Sequence, residues 1–72
     1  MPKFILNQKQ QPNGDNEVHN KTTGCNYMPA VENQIDLGEH PSCAGAVTLA
    51  KAKYGNARIN GCKYCCPACH TT

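Results

Sequence analysis

The segment Gly61-Cys62-Lys63-Tyr64-Cys65-Cys66-Pro67-Ala68-Cys69-His70 constrains this chain more than any other. It holds four of the six cysteines, within eight residues, as two C-x-x-C pairs that abut at Cys65-Cys66. Thiolates at that density serve a soft metal, a redox couple or a disulfide frame. Two cysteines separated by two residues can place both sulfurs about 2.3 Å from one tetrahedral zinc.

The chain is 72 residues long and reads as one small domain over 1–72, with a metal-binding core over about 17–70. A domain of this size buries only about 60% of its unfolded surface and needs a staple. Its aromatic supply is Phe4, Tyr27, Tyr54 and Tyr64, with no tryptophan, and its 39% hydrophobic content includes the six cysteines. Zinc or disulfides would make up the deficit. The opening Met1-Pro2-Lys3-Phe4-Ile5-Leu6-Asn7 has an apolar run of three residues, whereas a secretory leader needs roughly seven to fifteen. No stretch approaches the roughly 20 apolar residues of a membrane span. A full-length chain of this kind is expected in the cytoplasm, where disulfides seldom persist, and that favours zinc.

Charge is unevenly placed. Every acid lies at or before Glu39, and Lys51, Lys53, Arg58 and Lys63 follow with no acid among them. Such cations can meet the phosphates of nucleic acid or a protein partner. They can equally offset thiolates, since zinc with three or four thiolates is a net anion. No membrane partner and no small-molecule substrate is evident, and a monomer is expected. Paired carboxylates, a Ser-His-Asp set and a phosphate-cradling glycine loop are all missing, so the chain is not expected to be an enzyme.

The pattern predicts an α+β fold: a small antiparallel sheet of two to four strands, one helix over about 42–54 and a Cys-rich C-terminal metal knuckle. Lys3–Leu6 is a β-prone run. Residues 7–16 are polar, with an Asn13-Gly14 turn signal. Residues 17–20 form the returning strand, with Glu17 and His19 on one face and Val18 on the other. A two-residue turn at Asn13-Gly14 would pair Val18 with Lys9, so a longer loop is the better fit. Thr22-Thr23-Gly24-Cys25 reads as a turn that delivers Cys25. Gln34–Gly38 alternates Ile35 and Leu37 with polar neighbours, a half-buried strand. For the helix, Ser42 is the N-cap, accepting an orphan N–H. Cys43, Ala46, Val47, Ala50 and Tyr54 line one face. Lys51 and Lys53 suit the negative end of the dipole, and Gly55 suits the C-cap. A last strand is expected over Ala57–Asn60, followed by Gly61 at the tight turn of the knuckle.

Cys43, on the apolar face of the helix, reads as a buried core thiol. Cys25 lies in a turn with no apolar periodicity and is a natural metal ligand supplied from a distance. A site fed by Cys62 and Cys65 needs two more donors, and zinc accepts nitrogen or sulfur. That brings in His19, which on a short strand would otherwise be a surface residue. The metal candidates are therefore His19, Cys25, Cys62, Cys65, Cys66 and Cys69.

The pattern Val18-His19 … Cys25 … Ser42-Cys43-Ala44-Gly45-Ala46 … Gly61-Cys62-Lys63-Tyr64-Cys65 resembles the small zinc-binding module of the adaptive-response DNA repair methyltransferase. It is also similar to related domains appended to some bacterial nucleases and surface proteins. The resemblance spans roughly residues 17–65. It implies His19 and Cys25 as the first ligand pair, Cys62 and Cys65 as the second, and a short strand and a helix between them. The chain departs from that pattern in a longer His-to-Cys spacer, in having no proline before Cys62, and in its additional tail. The tail leaves Cys66 or Cys69 as alternatives to His19. In the repair methyltransferase a ligand thiolate accepts a methyl group from DNA; histidine at the first ligand position argues against that here. The tail also resembles that of a stand-alone group of small bacterial Cys-rich proteins, a resemblance that implies no activity.

Three alternatives use the cysteines differently. Cys66-Pro67-Ala68-Cys69-His70 matches the C-x-x-C-H haem attachment pattern, with two thioethers and an axial histidine. It ends two residues before Thr72, which leaves little chain to cover a macrocycle. Cys66-Pro67-Ala68-Cys69 is also a C-P-x-C dithiol motif, although such dithiols normally sit at the start of a helix, and none can follow here. A disulfide-stapled scaffold is the third. The expectation favoured over these is a structural zinc site in a small binding module.

Overall fold

The computed structural model describes residues 1–12, 14–55 and 58–70. Its elements are β1 (Lys3–Asn7), β2 (Asn16–Asn20), β3 (Gln34–Glu39), α1 (Cys43–Tyr54) and β4 (Ile59–Gly61), with single 3-10 turns at Val31–Asn33 and Pro67–Cys69. The expected strands and helix are thus present within a residue or two. Asn13 and Ala57, which carried part of the turn and strand expectations, lie outside the described residues.

The strands form one sheet in the order β3-β1-β2-β4. β1 runs antiparallel to both neighbours, with Leu6 opposite Val18 on one side and opposite Ile35 on the other. The Leu6–Val18 register leaves a loop longer than two residues between β1 and β2, and it orders Val18 against an apolar partner. The sheet differs from expectation at β4, which pairs with β2 in parallel, Val18 opposite Gly61. The cause is α1. It connects β3 to β4 as a crossover over β1 and β2, so β4 runs in the same direction as β3 and therefore as β2.

Side-chain alternation then separates two faces. α1 packs on all four strands and covers the face that carries Phe4, Leu6, Val18 and Leu37. Ala46 and Ala50 are fully buried, and their small side chains let the helix approach the sheet closely. Each large apolar side chain buried here contributes about 1.5–3 kcal/mol. Leu37 joins this core through a bulge. Phe4 pairs with Gly38 and Ile5 with Asp36, leaving Leu37 as the extra residue. Gly38 takes φ 79° and donates its N–H to Asp36 Oδ1 at 2.8 Å, a backbone state that glycine adopts without penalty. Ser42 has the extended backbone of an N-cap, but its side chain makes no capping hydrogen bond. Gly55 ends the helix at φ 60°, its N–H bonded to Lys51 O.

On the opposite face lie Ile5 and its partner His19, both buried, with Glu17 in line. Among the described residues no helix covers this side. The segment after β2 does, and it carries Cys25.

Candidate metal centre

Four donors converge where β2 and β4 end. His19 comes from β2 and is 1% exposed. Cys25 is returned over the strand by a turn that Asn20 organises. Asn20 Oδ1 accepts the N–H groups of Thr22 and Thr23 at 3.0 and 3.1 Å, and Asn20 O accepts that of Gly24 at 2.8 Å. Gly24 itself sits at φ 67°, in the left-handed region. Cys62 directly follows β4 and prolongs its pairing, its N–H bonded to Val18 O at 2.9 Å. By alternation it points to the face of His19. The chain then turns, with Cys66 N–H on Cys62 O at 2.8 Å, and this brings Cys65 in.

The ligand atoms of His19, Cys25, Cys62 and Cys65 all lie within 4.8 Å of one another. Cys25 Sγ is 3.8 Å from Cys62 Sγ and 3.7 Å from His19 Nδ1, and Cys65 Sγ is 3.4 Å from the same nitrogen. A tetrahedral zinc with its usual bond lengths sets S···S edges near about 3.8 Å and S···N edges near about 3.5 Å. The donor set therefore fits such an ion in both chemistry and size. Backbone donors face the sulfurs as well. Asn20 N–H points at Cys65 Sγ at 3.3 Å and Tyr64 N–H at Cys62 Sγ at 3.4 Å; the first of these favours the Cys65 thiolate.

Burial sets the protonation of the site without an ion. It pushes the Cys65 thiol up, against the pull of the Asn20 N–H. It pushes His19 down, so that the imidazole stays neutral and able to ligate. A cation would displace the thiol protons.

Two sequence candidates fall outside the cluster. Cys69 is bonded to Cys43, with Cα atoms 6.3 Å apart, and as half of a disulfide its sulfur cannot become the thiolate that ligates zinc. Cys66 is a free thiol turned into the core beside α1. Burial raises it to about 11, the reverse of what a reactive dithiol needs. The same bond alters the reading of Cys43, which is on the predicted buried face but is not a thiol. It also removes one of the two sulfurs that haem attachment at 66–70 requires. His70 turns inward instead, its Nδ1–H donated to Gly61 O at 3.1 Å. Gly61 is needed for close approach rather than for its φ. A Cβ there would lie 2.6 Å from Cys69 Cβ and 2.9 Å from Cys66 O.

Two aromatic residues of the site are marked in the sequence only by their spacing from cysteines. Tyr27 and Tyr64 each lie two residues after a donor cysteine, and their rings stack at 4.5 Å. They link the Cys25 turn to the Cys62 knuckle from the solvent side. The basic residues do not gather around this centre. Lys63 belongs to the knuckle, whereas Arg58, bonded to Asp15 at 2.9 Å, lies beside Asn16 at the far end of β2. Lys51 and Lys53 flank the end of α1, where Tyr54 shares a cavity with Leu6 and Asn16.

Comparison with protein-family models, with curated proteins and with solved structures gave no match. No helix among the described residues is long and apolar enough to cross a membrane.

Proposed function

We propose that this chain is a small zinc-stabilised binding module, with one Zn2+ held by His19, Cys25, Cys62 and Cys65. The observation that carries the reading is the convergence of one imidazole and three thiols at tetrahedral spacing from three separate parts of the chain. All four positions are filled by protein side chains, which is the pattern of a structural ion; a catalytic one keeps a position open. Such an ion would tie the Cys25 turn to the C-terminal knuckle and so contribute folding free energy directly. The ligand set equals the one implied by the resemblance to the repair-methyltransferase module. Methyl transfer is not part of the proposal. The partner proposed is nucleic acid or protein, met by Lys63 near the centre or by Lys51 and Lys53 at the opposite end. Nucleic-acid binding that falls steeply with salt and weakens in Lys63→Glu would support the first location.

The Cys43–Cys69 bond specifically favours a second reading, a disulfide scaffold without metal. Intact mass separates the two. Zinc plus one disulfide gives a native mass heavier by one zinc, and after chelation four cysteines take alkylating reagent and two do not. A metal-free protein in which the remaining cysteines also resist alkylation establishes the scaffold and removes the zinc reading.

A further inference from the structure

The proposed centre uses one nitrogen of His19 and leaves the other to the protein. Nδ1 faces Cys65 and Cys25 at 3.4 and 3.7 Å. Once that lone pair is given to a cation, the ring proton must reside on Nε2. Nε2 is buried and has no hydrogen-bond partner among the described residues. A buried N–H left in that state is destabilising, because it has lost its water partner and gained none.

Glu17 is placed to accept it. It lies two residues before His19 on the same strand and therefore on the same face. Its Oε1 is 3.7 Å from Nε2, too long for a hydrogen bond by about 0.5 Å. The carboxylate is only 19% exposed. The same oxygen accepts the Nε2–H of Gln11 at 3.3 Å, which holds the carboxylate in place. Metal ligation withdraws electron density from the imidazole and makes its N–H a stronger donor. Binding and closure of the Glu17–His19 gap should therefore strengthen each other.

We propose that Glu17 is the positioning residue of this centre, accepting Nε2–H of His19 and thereby fixing the tautomer and ring plane that aim Nδ1 at the metal. The inference rests on the zinc reading above. Its consequence is that the site extends beyond its four donors to a carboxylate on β2 and to Gln11 in the β1–β2 loop.

The test compares wild type, Glu17→Ala and Glu17→Gln as full chains with the Cys43–Cys69 bond intact. Zn2+ affinity is read by chelator competition, Co2+ absorption reports the donor set, and NMR reports the His19 Nε2–H. Glu17→Ala is expected to weaken Zn2+ by roughly 10–100-fold and to lose the slowly exchanging Nε2–H, with the Co2+ spectrum unchanged in type. Glu17→Gln retains an oxygen acceptor and is expected to recover most of the affinity and the N–H signal. A Glu17→Ala affinity within about twofold of wild type overturns the assignment, as does an equal loss in both variants. Should Glu17→Ala fail to fold, the wild-type Zn2+ form still decides the matter: a His19 Nε2–H that exchanges as fast as in a free imidazole overturns it. Wild type that binds neither Zn2+ nor Co2+ removes the metal centre itself, an outcome distinct from either of these.

Discussion

Cys62 and Cys65 reach the candidate metal centre, while Cys66, the very next residue, joins the core beside α1 and Cys69 is bonded to the first residue of that helix. The two pairs have the same C-x-x-C spacing and touch in sequence. What separates them is the edge of the sheet. Cys62 is still paired to Val18 as an extension of β4, so alternation directs it to the His19 face. After the turn at Cys65 the chain passes to the helix side and folds back over Gly61. Spacing makes a pair of cysteines able to share an ion; the strand that delivers them determines whether they meet its other donors.

Substitutions can break that contrast. The largest effect is expected from Cys62→Ser, which should abolish stoichiometric zinc and with it most of a binding free energy on the order of 10 kcal/mol in structural sites. Cys66→Ser should keep the metal and lose only core packing. Metal content after gel filtration checks both, and the reverse result would exchange the roles of the pairs. Next is Cys43→Ala. Opening a bridge between residues 26 apart should cost about 3 kcal/mol, roughly 15 °C in Tm by thermal melting, with zinc stoichiometry kept. Gly61→Ala sharpens the comparison because Gly61 touches both systems, preceding a donor and lying under Cys69. The backbone atoms it would meet cannot rotate away, and a loss of about 1–3 kcal/mol by urea denaturation is expected, with slower closure of the Cys43–Cys69 bond.

The smallest effect is a pH dependence confined to the metal side. In metal-free protein His19 is pushed below its usual 6.5 by burial. The unfolded chain therefore binds the proton first, and stability should fall as pH drops below about 6.5 toward the folded-state value. Urea midpoints at pH 7.5 and 5.5 measure this. His19→Asn should flatten the difference, and an unchanged slope in that variant would assign the effect elsewhere.

Local signals carried much of this architecture. The alternation of Glu17, Val18 and His19 places each on its observed face, and the small-residue stripe Cys43, Ala46 and Ala50 marks the buried side of α1. The Ser42 position marked the start of the helix, although its hydroxyl makes no cap. Strand direction was not legible, because the parallel pairing of β4 depends on where α1 recrosses the sheet, and no local window contains that. His19 was legible as a further donor that the Cys62–Cys65 pair calls for, but not from its own surroundings. A histidine on a five-residue strand is ordinary surface until the Cys25 turn closes over it, and Asn20, which builds that turn, carries no sign of it in sequence. Cys43 and Cys69 look locally like a core thiol and a metal candidate for a related reason. Each has a sensible local role, and only packing of the tail against the helix start puts their sulfurs together.

By itself, then, the sequence determined the inventory: six sulfurs and an imidazole, too little hydrocarbon to dispense with a staple, and strand and helix periods that fix which side chains share a face. Tertiary structure decided the partition of that inventory. Alternation sets the direction of a side chain relative to its own strand. Whether two such directions meet depends on strand order, on the crossover of α1 and on the turn at Asn20, and these are properties of the whole packed chain.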